Sequence, residues 1–247
     1  MLNQKENKKK TDSHEMLISK LKNNANTEKA NLLSGFFKTG KGQYGEGDKF
    51  LGITVPMTRT ITKPFRSMPL CEILKLLRSE WHEARLAAVL LMAWQFSHSD
   101  EKTQEKIFNS YLGNSKYINN WDLVDLSCPA IIGNWLLKRD RHILRTLAKS
   151  KLLWDRRIAM VSCISFIRTG ENKDAFEIAE MLLDDKEELI HKAIGWMLRE
   201  TMKHCGEAGL LAFLEKNYSR LPRVTLRYAI EKFPEENRNK LLKGNFR

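Results

Sequence analysis

A chain of 247 residues with 42 Lys and Arg against 30 Asp and Glu carries a formal net charge of +12. Such length suits one large core or one solenoid, and such charge favours a polyanionic partner, most often nucleic acid. The basic N-terminal residues Lys5 and Lys8 to Lys10 are followed by no apolar run, and the longest apolar stretch, Leu86 to Trp94, is far shorter than a membrane span. The four cysteines (Cys71, Cys128, Cys163, Cys205) show no CxxC pair, and the histidines show no ligand spacing. The expectation is a cytoplasmic protein with reduced core thiols, no metal site and no cofactor.

In chain order, residues 1–13 are polar and charged and read as a disordered basic tail. Apolar periodicity begins near Met16, and residues 14–247 read as one repeat domain. The Gly-rich segment TGKGQYGEGD (residues 39–48) contains Gly40-x-Gly42-x-x-Gly45. A dinucleotide fingerprint needs a buried strand before it and a helix directly after it. Neither flank has that character, so the segment reads as a loop between helices. After residue 68 helix follows helix, broken by short polar or Gly-containing turns such as Ser97-His98-Ser99-Asp100 and Thr169-Gly170-Glu171-Asn172.

That alternation prompts a search for repeats. EARLAAVLLM (residues 83–92) aligns with DRRIAMVSCI (residues 155–164), pairing Glu83 with Asp155, Arg85 with Arg157, Ala87 with Ala159 and Val89 with Val161. Continuing the interval gives the series Arg85, Trp121, Arg157, Lys192 and Arg227. A period of about 35 residues with two helices per unit predicts an all-α fold, an α-solenoid of HEAT-like helical repeats forming an α-α superhelix.

Equivalent positions of stacked repeats share a surface, and residues four apart share a helix face. Four past the markers stand Val89, Asp125, Val161, Trp196 and Glu231. Trp121, Asp125, Arg157 and Trp196 are therefore expected to converge, with Arg199 and Lys203 extending the same face. Each has a plainer reading. The tryptophans could fill the core, Asp125 could cap a helix or pair with Arg157, and Arg85, Arg157, Lys192 and Arg227 could be a stabilising basic ladder. Taken together, two aromatics, one carboxylate and several cations look like a site, because a carboxylate on a basic face needs chemistry or a structural pair to explain it. The set suits N-glycosidic cleavage. A carboxylate can stabilise an oxocarbenium-like transition state, aromatic faces attract a cationic base or sugar, and Arg can hold flanking phosphates.

These same residues lie in segments that resemble a known family, the DNA alkylation repair enzymes of the AlkD type. The likeness runs through FFKTGKGQYGEGDKFLGITVP (residues 36–56), WHEARLAAVLL (81–91), INNWDLVDLS (118–127), LWDRRIAMVS (153–162), LIHKAIGWMLRE (189–200) and LRYAIEKFP (226–234). The resemblance implies HEAT-like repeats, a concave basic groove for double-stranded DNA, and cofactor-free excision of cationic N3- and N7-alkylated purines. It also implies that Trp121 and Trp196 flank the lesion, that Asp125 is the catalytic carboxylate supported by Arg157, and that Arg199 and Lys203 bind the backbone. Arg85, Lys192 and Arg227 complete the expected DNA-binding set. Phe36 or Phe37 stands where some members carry Tyr, which removes any hydroxyl contact there. The reading is a monofunctional, monomeric DNA glycosylase. Its rivals are a base-reading RNA repeat protein, for which the plus-four residues form no regular code, and an inert solenoid scaffold for protein partners.

Overall fold

The computed structural model describes residues 13–246. Of the expected N-terminal tail only Ser13 falls among them, and it caps the first helix by accepting from the Met16 N–H at 3.2 Å. The regular structure of the described residues is helical, without a strand; one isolated bridge joins Lys49 to Trp81. None of their helices is long and apolar enough to cross a membrane. The fold is all-α, with successive helices packed in pairs as in an α-solenoid. The chain divides into two compact units, Met1–Ser127 and Cys128–Arg247.

In the first unit the helices are α1 (His14–Lys22), α2 (Thr27–Phe36), α3 (Val55–Thr62), α4 (Leu70–Leu77), α5 (His82–Ser97) and α6 (Glu101–Gly113), and α7 (Trp121–Cys128) closes it. Helix α5 is the hub. Every residue from His82 to Met92 is buried on it, and α1, α3, α4 and α6 pack around it. Helix α4 shows the usual logic of such a partner: Ile73, Leu76 and Leu77 make one apolar stripe, and all three are buried. The Gly-rich segment folds as a string of turns between α2 and α3, as its flanks predict. The stretch that follows it is tied down by Glu83, whose buried carboxylate accepts from the backbone N–H groups of Leu51, Gly52 and Ile53 at 2.9–3.1 Å. Gly52 is needed there. Its φ is +81°, and a Cβ would meet the Asn26 carbonyl oxygen at 2.0 Å.

The second unit opens with a π turn, Pro129–Gly133, leading into α8 (Asn134–Leu136). There follow α9 (His142–Ala148), α10 (Leu153–Ser162), α11 (Ile164–Ile167), α12 (Lys173–Leu182), α13 (Glu188–Cys205), α14 (Glu207–Asn217), α15 (Arg223–Ala229) and α16 (Glu235–Leu242). Helices α10, α13 and α15 pack one on the next and start at residues 153, 188 and 223, two steps of 35. Arg157, Lys192 and Arg227 each stand fifth in their helix, so the marker series tracks real structural equivalence here. The stacking is close. A Cβ on Gly195 of α13 would meet the Tyr228 Cβ at 2.4 Å and the Thr225 carbonyl oxygen at 2.7 Å. On the opposite layer Arg145 of α9 clamps Glu177 of α12, its Nε donating at 2.6 Å.

In the first unit the register slips. Arg85 stands fourth in α5, but Trp121 stands first in α7. Residues 115–117 form a 3-10 turn instead of opening the helix, and Asn120 accepts from the Trp121 N–H at 2.8 Å, starting the helix late. The thiols differ from the sequence expectation in one respect. Cys128 and Cys163 are core and Cys205 is half-buried, whereas Cys71 is exposed; all four are free.

Candidate functional site

Helix α7 presents Trp121 and Asp125 one turn apart, as the spacing predicts. Both are half-buried, and both line a cleft of about 470 Å³ in the first unit. Its walls are Leu33, Phe36 and Phe37 from α2, Ile53 to Pro56 at the start of α3, and His82, Glu83 and Leu86 from α5. Aromatic rings dominate. Trp121 stacks on Phe37 with centroids 5.3 Å apart and 24° between planes, and meets Phe36 edge-on at 6.0 Å. Phe37 in turn stacks on Phe50 at 5.1 Å. Phe36 itself is 64% exposed, an apolar ring held out at the cleft mouth. Asp125 is thus a carboxylate on a largely apolar wall, where water screens charge poorly.

Behind the aromatic stack lies a buried polar cluster. His82, the first residue of α5, stacks on Phe50 at 4.5 Å. Its Nε2 donates to Asp122 at 2.9 Å, and its Nδ1 faces Asp48 at 3.4 Å. Asp48 also takes the Arg85 guanidinium at 2.7 Å and the Asn119 amide at 3.0 Å. The cluster therefore fixes the Gly-rich loop, through Asp48, to the start of the helix that carries Trp121 and Asp125, through Asp122 and Asn119. Sequence reasoning missed it. The only signal was local: the segments GDKFLG and WHEAR each belong to the family likeness, but no period links Asp48 to His82.

Burial works against the charge on His82, but the hydrogen bonds to Asp122 and Asp48 outweigh it and raise its pKa above the ordinary 6.5. Asp48 goes the other way. Burial opposes its charge, yet the hydrogen bond from His82 and the nearby Arg85 hold its pKa below 3.8. A raised histidine stabilises the fold fully below its unfolded pKa and loses that contribution as pH rises through the folded value. The melting temperature is thus expected to decline as pH climbs from about 6.5, and this decline should flatten in His82→Gln. Parallel pH curves for the two proteins would remove the imidazolium from the cluster. Asp48 contributes in the opposite sense, losing its stabilisation only as pH falls through its depressed value.

The remaining expected site residues fare differently. Arg85 does not face solvent. It is 5% exposed, bound to Asp48 and to the Ser79 and Glu80 carbonyl oxygens at 2.9 and 3.2 Å, and is held away from any phosphate. Its long side chain folds back over the start of its own helix because a buried acid waits there. Arg157 of α10 is likewise 5% exposed and donates to the Leu189 carbonyl oxygen at the start of α13 at 2.6 Å, so it joins two stacked helices. On α13, Trp196 is half-buried and its Nε1 donates to Glu200 at 3.2 Å. Lys192 pairs with Glu188 one turn back at 2.6 Å, and Arg199 pairs with Glu231. Lys203 and Arg227 are exposed and, among the described residues, have no carboxylate in ion-pair range. In the second unit Arg199 and Lys203 share a helix face, which leaves one cation free and one in an exposed pair.

An all-helical stack carrying an open aromatic cleft, with Asp125 on its wall and the neighbouring Glu83 and Asp122 tied into the fold, is a helical-repeat protein with a binding site. The profile of the DNA alkylation repair enzymes matches residues 17–233, and the chain belongs to that family. It is similar to a solved structure described as a predicted DNA alkylation repair enzyme from Enterococcus faecalis, with a TM-score of 0.69, 18% identity and coverage of 85% of this chain and 97% of that one. At that identity the likeness shows a shared fold. No curated protein matches the chain. Family membership carries a role in DNA alkylation repair.

Proposed function

We propose that the protein is a monofunctional DNA glycosylase that hydrolyses the N-glycosidic bond of cationic N3- and N7-alkylated purines in duplex DNA. The observation that carries this reading is Asp125 on the wall of the aromatic cleft beside Trp121, in a chain of the DNA alkylation repair family. The bond to C1′ breaks with its electron pair moving to the base nitrogen, which neutralises the cationic base. No strong acid is needed to expel such a leaving group. Positive charge develops on the sugar, and Asp125 stabilises it electrostatically. Water then adds to C1′ and gives up a proton, leaving an abasic site. Trp121, and Trp196 as a second aromatic, attract the cationic nucleotide through their ring faces. Arg157 acts in this proposal through its hold on the start of α13. The test is incubation of the purified protein with methylated duplex DNA and chromatography of the released bases. Absence of 3-methyladenine and 7-methylguanine from the supernatant sinks the reading.

The two tryptophans are expected to respond differently to truncation. Trp121→Ala removes a stacked and an edge-on aromatic contact, each worth about 0.5–1.5 kcal/mol beyond area, so both melting temperature and base release should drop. Trp196→Ala should leave the melting temperature nearer wild type while slowing release by about two- to thirtyfold, the worth of about 0.5–2 kcal/mol of cation attraction. Thermal unfolding and single-turnover release on the same preparations check this. Unchanged release by Trp196→Ala would return that ring to a structural place.

Affinity for undamaged duplex is expected to fall steeply with salt. Each phosphate contact contributes about −0.9 to the slope of log K against log salt. Lys192, Arg199, Lys203 and Arg227 alone give a slope of about −3.6, with nothing from the buried Arg85 and Arg157. A titration from low to moderate salt reads this directly, and a flat response would remove DNA as the partner.

A further inference from the structure

From Lys49 to Cys71 the sequence contains four cations and no Asp or Glu. Three of them, Arg59, Lys63 and Arg66, line a second cavity of the first unit, about 280 Å³ in volume, together with Leu90 and Trp94 of α5. No carboxylate lines it. Arg59 and Lys63 are exposed and, among the described residues, lie in no ion pair. Like charges gathered without a counter-charge repel one another and gain from an arriving anion.

The cavity is also organised in advance. The Arg66 guanidinium lies over the Trp94 ring, 4.8 Å from its centroid. A second ring supports that platform: His98 stacks on Trp94 at 4.1 Å and 16°. Gln95 donates to the Arg66 and Met68 carbonyl oxygens at 3.0 and 2.7 Å, pinning the backbone that carries Arg66. Arg59 and Lys63 stand four residues apart, at the end of α3 and the start of the following 3-10 turn, and so project from one side. A guanidinium placed over an indole is held by the ring while its N–H groups stay able to donate to a phosphate.

Position relates the cavity to the aromatic cleft. Both lie along the pairing of α3 with α5. Thr54 to Pro56 and Leu86 line the cleft, whereas Arg59 to Lys63, Leu90 and Trp94 line the cavity. Leu86, Leu90 and Trp94 follow at steps of four on α5, so the two sites are separated by about 12 Å along one helix face. Phosphates of one DNA strand follow at about 3.4 Å along the duplex axis. We propose that Arg59, Lys63 and Arg66 form a backbone-phosphate site that grips a phosphodiester within about four nucleotides of the lesion held at the aromatic cleft. The site anchors the strand and is separate from the chemistry at Asp125. The inference rests on the DNA-binding part of the function proposed above.

The test uses duplexes in which single phosphates are replaced, one position at a time, by uncharged methylphosphonates. Wild-type protein should lose about three- to tenfold in affinity at one or two positions near the lesion, as expected for loss of one charged contact. Arg59→Gln/Lys63→Gln should be insensitive at those positions, should remain sensitive elsewhere, and should show a salt slope shallower by about 2. The charge-keeping variant Arg59→Lys/Lys63→Arg should reproduce the wild-type profile, which separates charge from folding. The same methylphosphonate profile in wild type and the Gln variant overturns the site. So does a Gln variant that binds inorganic phosphate more weakly yet grips DNA unchanged, because the cavity then serves a free anion. Base release is scored separately on the same duplexes. Its absence in wild type overturns the glycosylase reading, while the binding profile alone decides the phosphate site.

Discussion

Asp125→Asn is expected to slow release of alkylated bases by about a hundredfold or more while leaving the fold and the affinity for undamaged DNA in place. The substitution keeps the size of the side chain and removes its charge. Asp125 is half-buried on α7 with its backbone inside the helix, so the isosteric change should cost little stability. Loss of one electrostatic stabiliser of a developing charge costs about 10²–10³ in rate, and more where the surroundings are apolar. The wall around Asp125 is mostly Leu, Ile, Pro and aromatic rings, which in the proposed reaction strengthens its field at the sugar. Under the proposed function, removing this acid also relieves repulsion of phosphates. Binding of undamaged duplex should therefore hold or tighten slightly even as turnover collapses. That opposite movement is hard to obtain from a folding defect. Single-turnover release, duplex affinity and thermal unfolding, measured together, check it. Wild-type release from a folded Asp125→Asn protein would dismiss the carboxylate.

Parts of this picture were legible in the sequence because they repeat. The helix starts at 153, 188 and 223 follow from an apolar period and from shared types at Arg85 and Arg157. The pairing of Trp121 with Asp125 follows from a single helical turn. What could not be read is what crosses between elements without a period. Asp48 sits in a turn-rich loop, His82 begins a helix, and Asp122 follows Trp121; only the folded chain puts all three around one imidazole. The same gap misplaced charge. A marker arginine looks the same in sequence whether it faces a groove or a buried acid. Lys203 and Arg227 proved exposed while Arg85 and Arg157 did not. The late start of α7 was hidden for a related reason: Asn120 caps it by a side-chain hydrogen bond that apolar spacing does not encode.

The largest loss of stability is expected from Arg85→Ala. The guanidinium is 5% exposed and 2.7 Å from Asp48, which is itself buried. Taking a charge out of water is costly, and a buried pair repays that cost only while both members are present. Truncation leaves Asp48 with the His82 imidazole and two asparagine amides, and deletes the bonds to the Ser79 and Glu80 carbonyl oxygens. Breaking a buried pair in this way costs about 3–5 kcal/mol. A residue that merely touched phosphate would behave in the opposite manner. Its loss would leave the stability within about 0.5 kcal/mol of wild type and make the salt slope shallower by about 1. The two roles therefore separate cleanly in two measurements, denaturant unfolding and a salt titration of duplex binding. The expected outcome is a strongly destabilised protein whose folded fraction, measured at low temperature, keeps the wild-type salt slope. Asp48→Asn in the Arg85→Ala background should recover part of the loss, because it removes a buried charge that has lost its guanidinium and keeps the shape. An Arg85→Ala protein of wild-type stability with a shallower slope would place Arg85 on the DNA and leave the loop that carries Asp48 without its anchor.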